Sequence, residues 1–136
     1  MVYLGDFPVS GVVDFKWSSN NADGASITRA TNGTVSVYKS NSTTQSTTGV
    51  TDTEDFDSLT GIHHCRIDTS ADGTFYAAGS EFAVVLSAST IDGQTVNAVL
   101  AHFSIQRSGA GLAILKDGTY GLSAIETLVD ELETRL

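Results

Sequence analysis

The sequence predicts a mainly β protein, a small antiparallel β-sandwich of about seven strands with a C-terminal α-helix, and three observations carry that expectation. Short segments alternate apolar and polar residues with period two. Clusters of Gly, Asn and Asp separate them, and only the final stretch of the chain shifts to a helical period. Ser and Thr supply about a quarter of the 136 residues, which favours strands and turns. That length holds one sandwich core and a peripheral element, but not two full domains.

Residues 10–18 open the series, with Val13, Phe15 and Trp17 on one face and Val12, Asp14 and Lys16 on the other. The three apolar residues are the expected core. Asn20-Asn21-Ala22-Asp23-Gly24 predicts a turn, and a short strand is expected from Ser26 to Ala30. Asn32-Gly33 reads as a hairpin turn, because a tight two-residue turn needs positive φ at both central positions. It leads into a strand that points Val35 and Val37 inward. Ser40 to Thr48 is a polar surface loop. Gly61 to Ile67 reads as a strand with His63, Cys65 and Ile67 on one face, and Phe82–Ser89 and Thr95–Gln106 flank a second hairpin at Asp92-Gly93.

After Arg107 the pattern breaks. The expected organisation is a sandwich over 1–107, a hinge over 108–118 that begins Ser108-Gly109-Ala110-Gly111, and a helix over 119–136. Ser123-Ala124-Ile125-Glu126 fits a capping box, with Leu122 placed to staple the start. Leu122, Ile125, Val129, Leu132 and Leu136 follow at spacings of 3, 4, 3 and 4, the seam of a short coiled coil. Leu128 widens that stripe, which favours a homotrimer over a dimer and leaves docking on the chain's own sandwich as the competing reading. A lone helix this short is marginal in water, so the seam is expected to bind copies of itself. The pattern also stops mid-register at Leu136, as expected of a helix held by neighbours or continued in a longer fibre.

The charge pattern limits the partners. A net charge of −9 repels phosphate backbones and anionic lipid, so neither nucleic acid nor membrane is an expected direct partner. The longest apolar runs fall far short of the roughly 20 residues that cross a bilayer, and the first dozen residues lack the basic start of a secretory signal. Cys65 stands alone, so no intrachain disulfide and no Cys-based zinc cage is expected. His63 and Cys65 could share an ion on one strand face, but two ligands make no site. Asp52, Glu54, Asp55 and Asp57 lack the spacing of a calcium loop. No Gly-x-Ser-x-Gly elbow and no phosphate-cradling loop occurs. The expectation is therefore a non-enzyme without catalytic residues, cofactor or metal. Tyr3, Trp17, Tyr38 and Tyr120 are the residues that could stack on a sugar, with Trp17 expected in the core instead.

Residues 55–93 carry a resemblance. A strand ending in Ile67-Asp68 is followed by the small and acidic Ser70–Gly73, the aromatic pair Phe75-Tyr76, the small-residue corner Ala77–Gly79, the Val-rich Phe82–Leu86 and the turn Asp92-Gly93. This order resembles the Ig-like N-terminal domains of tailed-bacteriophage virion proteins, namely baseplate upper proteins and tail fibres. Asp72 and Tyr76, four apart before a strand, are similar to a corner in which a Tyr hydroxyl ties back to the backbone. The resemblance spans residues 2–107, and Tyr120–Ala124 is similar to a helix opening in phage fibre sequences. It implies an Ig-like sandwich in a virion structural protein, assembled in the host cytoplasm. Its partners would be copies of itself and other proteins of the tail, baseplate or capsid. The alternative it leaves open is a capsid decoration protein, a cement or head-fibre module, or a carbohydrate-binding surface module.

Overall fold

The computed structural model describes residues 2–107 and 121–135, and they form a mainly β chain with two sheets and one C-terminal helix. The strands are β1 (Val2–Phe7), β2 (Val12–Ser18), β3 (Thr34–Lys39), β4 (Gln45–Ser46), β5 (Val50–Thr53), β6 (Ile62–Asp68), β7 (Ser80–Ile91) and β8 (Gln94–Ile105). The helix α1 is Leu122–Arg135. The chain divides into two compact units, 1–106 and 107–136. The expected hinge, 108–118, lies outside the described residues.

One sheet has the order β2-β6-β5 and the other β1-β8-β7-β3-β4. Period-two alternation decides which side chains leave water. On the three-stranded sheet Val13, Phe15, Cys65 and Ile67 are buried, while Val12 is 43% exposed. On the five-stranded sheet Val35, Val37, Phe82, Val84, Leu86, Ala101, Phe103 and Ile105 are buried. All twelve belong to one core, to which Phe75 and Tyr76 add rings and against which Trp17 packs partly buried. Phe82 and Phe103 stack within it at 4.9 Å between centroids. Each fully buried Val, Leu, Ile or Phe contributes about 1.5–3 kcal/mol by leaving water, and the expected core of Val13, Phe15 and Trp17 is one wall of a larger one.

The Asp92-Gly93 hairpin forms as expected, with φ of 50° and 73° at its two central residues, and it joins longer strands than the alternation predicts. Other expectations are corrected. β1 was not anticipated, because Gly5 interrupts its alternation and its parallel partner, β8, is remote in sequence. Residues 26–30 form no strand. The segment crosses from one sheet to the other, held by isolated bridges at Asn20–Ser26 and Thr31–Thr90. Asn32-Gly33 therefore closes no hairpin. A Cβ at Gly33 would sit 2.7 Å from the Ser89 backbone nitrogen, so the turn presses its backbone onto β7. Within the polar loop, Gln45 and Ser46 pair with Tyr38 and Val37.

Tyr76, in the connection between β6 and β7, donates its hydroxyl proton to the Thr48 carbonyl at 2.9 Å, and its N–H bonds the Asp72 carbonyl. The hydroxyl thus ties to a distant loop rather than to a residue a few positions upstream. The helix falls within the expected 119–136 but does not begin behind a Ser123 cap. The Gly121 carbonyl accepts from the Ile125 N–H at 3.2 Å, which makes Gly121 the cap. Ser123 then lies inside the first turn, where its carbonyl accepts from Thr127 Oγ1, so it caps nothing and Leu122 is not at the stapling position.

Candidate functional site

The polar cluster that encloses Arg29, the buried cation of the described residues, lies where the crossing segment 19–33 covers one end of the β2-β6-β5 sheet. Register sets Trp17 of β2 opposite His63 of β6. Asp52 comes from β5, and the crossing segment brings Ser19, Thr28 and Arg29 over them. Arg29 Nη1 meets Asp52 Oδ2 at 2.8 Å and donates to the Asn32 carbonyl at 2.8 Å, with the Arg29 side chain wholly removed from solvent. Trp17 Nε1 donates to the other Asp52 oxygen at 3.3 Å. The guanidinium carbon lies 4.7 Å from the indole centroid and the His63 ring 4.4 Å from it, so the Trp17 ring is occupied from within. It offers no platform for a sugar.

His63 is fully buried and its tautomer follows from its neighbours. The Asp55 N–H donates to Nδ1 at 3.2 Å, so Nδ1 carries no proton. The proton of the neutral ring is on Nε2, which donates to Ser19 Oγ at 2.7 Å, and the Ser19 hydroxyl donates in turn to the Ile27 carbonyl. In a Ser–His nucleophile the imidazole accepts from the hydroxyl; here the bond runs the other way. Burial first, and the Arg29 charge second, hold the His63 pKa below its ordinary value. Asp55, turned by a left-handed φ of 47°, accepts from Thr28 Oγ1 and from the Gly61 N–H, and these bonds hold its pKa below the usual carboxylate range. The cluster locks one crossing segment and one turn to three strands.

No protein family, curated protein or solved structure matches the chain.

His63 and Cys65 do share the inner face of β6, as expected. Yet both His63 nitrogens are committed, and burial raises the Cys65 thiol to about 12, with Asp52 adding to it. The described residues contain no group of three or more side chains that could hold a metal ion. The acidic run is also dispersed, with Asp52 on Arg29 and Asp55 on Thr28 and Gly61. In α1 the expected seam residues Leu122, Ile125, Val129 and Leu132 are 61%, 54%, 49% and 58% exposed, and Leu128 beside them 65%. Leu136 and Tyr120 lie outside the described residues. Arg29 was not anticipated as part of any site. Its signal was its isolation, the single basic residue between Trp17 and Tyr38.

Proposed function

We propose that the chain is a structural protein of tailed-bacteriophage virions, in which an Ig-like β-sandwich docks a fibre or baseplate component to the particle and α1 self-associates as a short coiled coil. The observation that supports the Ig-like part best is strand order. In Ig domains one sheet contains strands B, E and D and the other C, F and G; β2-β6-β5 and β8-β7-β3 follow that scheme, with β4 in the C′ place. Tyr76 stands between the E and F equivalents with its hydroxyl tied to backbone, at the place of a tyrosine corner but with an acceptor, Thr48, 28 positions upstream instead of a few. Two departures accompany it. The lone Cys65 is on β6 and the Trp is on β2, so the inter-sheet disulfide and its Trp have no counterparts. The phage assignment itself rests on the resemblance of residues 55–93.

The helix reading rests on its exposed stripe. Five apolar side chains at heptad and flanking positions, each about half exposed or more, are a surface that water disfavours, and the width contributed by Leu128 suits three copies better than two. Placing Asp in the seam puts charge where it would be desolvated, so Ile125→Asp with Leu132→Asp reduces the mass measured by sedimentation to that of a monomer while the β unit stays folded. Unchanged mass rejects the seam. Labelling of purified particles with antibody against the β unit is expected on the tail or baseplate. Label confined to heads replaces the docking role with capsid decoration, and unlabelled particles reject the virion assignment.

A further inference from the structure

β2 is an outer strand of its sheet, with β6 on one side and no strand on the other. Register decides which main-chain groups face the open side. The Ser19 N–H donates to the Gly61 carbonyl and the Thr69 N–H to the Gly11 carbonyl, so Gly11, Val13, Phe15, Trp17 and Ser19 are the positions that bond toward β6. The N–H and C=O groups of Val12, Asp14, Lys16 and Ser18 therefore point out of the sheet, and among the described residues no hydrogen bond engages them. All four residues are exposed, and neither a proline nor a bulge interrupts the strand, whose pairing with β6 is continuous from Val12 to Ser18. Such an edge is a template for another strand.

We propose that this edge pairs antiparallel with the same edge of a second copy, about a two-fold axis at Phe15, joining two three-stranded sheets into one of six. The charges along the strand select both occupant and register. About that axis the Asp14 of each copy lies opposite the Lys16 of the other, and Val12 lies opposite Ser18. A slip of two residues sets Asp14 against Asp14 in one direction and Lys16 against Lys16 in the other. A slip of one sets groups that face out of the sheet opposite groups already bonded to β6. In the matched register like charges meet only on the diagonal, about 7–8 Å apart, against about 5.5 Å for the direct pairs. Each Asp14 then has a cation on both sides, Arg66 of its own β6 and Lys16 of the second copy, while His64 and not an acid stands beside Lys16. The Lys16 Nζ rests 4.8 Å from the Phe56 ring centroid and exchanges that contact for a carboxylate on pairing. An unrelated extended peptide would share the main-chain bonds but not this reciprocal match of charge. The contact is one strand edge wide, so it is weak by itself and forms in the upper micromolar range.

The test uses the full chain carrying Ile125→Asp and Leu132→Asp, so that the helix makes no contribution and the outcome is independent of the virion reading. Sedimentation is expected to show a monomer at about 10 µM and reversible dimerisation between about 100 µM and 1 mM. Amide hydrogen exchange is expected to slow at Asp14 and Lys16 in the dimer and to stay unchanged at Val13 and Phe15, which are already bonded to β6. Lys16→Glu and, separately, Asp14→Lys each set like charges face to face and weaken dimerisation at least about tenfold. Mixed in equal amounts, the two variants pair with each other, acid against base at both positions, and dimerisation returns to within about threefold of the parent. That return separates lost pairing from lost folding. Should Asp14→Lys fail to fold beside Arg66, the loss in Lys16→Glu and the exchange pattern decide. Absence of dimers up to about 1 mM, protection on a different strand, dimerisation indifferent to the substitutions, or folded variants that do not pair when mixed overturns the proposal.

Discussion

Protonating His63 would remove the acceptor of the Asp55 N–H and set a second buried cation beside Arg29, and from this a pH dependence follows. Its pKa in the folded chain lies below the ordinary 6.5, so the unfolded chain binds the proton first as pH falls. The stability this residue contributes is fully present above 6.5 and is lost as pH drops from there toward the lowered value, at no more than about 1.4 kcal/mol per pH unit. Asp55 and Asp68, lowered chiefly by bonds from Thr28 and Ser70, lose their contributions only as pH falls below the ordinary 3.8. Urea unfolding from about pH 7 to pH 5 is expected to show a declining midpoint that flattens in His63→Asn; equal slopes would refute the account. Alternation along β6 made the inward position of His63 legible. Nothing local marked Arg29 as buried, since cations are rarely fully enclosed and its carboxylate partner lies on a strand 23 positions away.

Among the elements, the glycines that close turns separate a conformational cost from a steric one. Gly93 and Gly33 both have positive φ, 73° and 71°, but a Cβ at Gly93 meets open space while one at Gly33 collides with Ser87 and Ser89 of β7. Gly93→Ala is expected to cost about 1 kcal/mol and Gly33→Ala at least about twice that, measured by chemical denaturation. Equal losses would mean that the close approach of the crossing segment to β7 is absent. The same pair shows what a sequence discloses about a turn. Asn32-Gly33 and Asp92-Gly93 both announce positive φ, and both deliver it at the glycine, but only the second is flanked by strands long enough to pair with each other. β2, β6, β7 and β8 were legible because each buries one face. β1 was not, since its partner is supplied by tertiary structure at the far end of the sheet-forming sequence.

At the scale of the whole molecule, a β unit with its own core accompanies a 14-residue helix whose apolar residues are exposed. Such a helix is marginal in water without partners, so self-association makes its helicity depend on concentration, whereas a unit with an internal core is indifferent to it. Dilution from about 100 µM to about 1 µM is expected to reduce the far-ultraviolet helical signal and leave the near-ultraviolet signal of the enclosed Trp17 unchanged; helicity constant over that range counts against the seam. The parallel pairing of β1 with β8 also has a mechanical side. Val2 pairs with Ala101 and Phe7 with Ile105, so tension entering at the Val2 end and leaving at the Ile105 end pulls the two strands past one another lengthwise. Their hydrogen bonds then share the load and must yield together instead of opening one at a time from an end. In the proposed place between a particle and a fibre, that arrangement would resist extension along the chain.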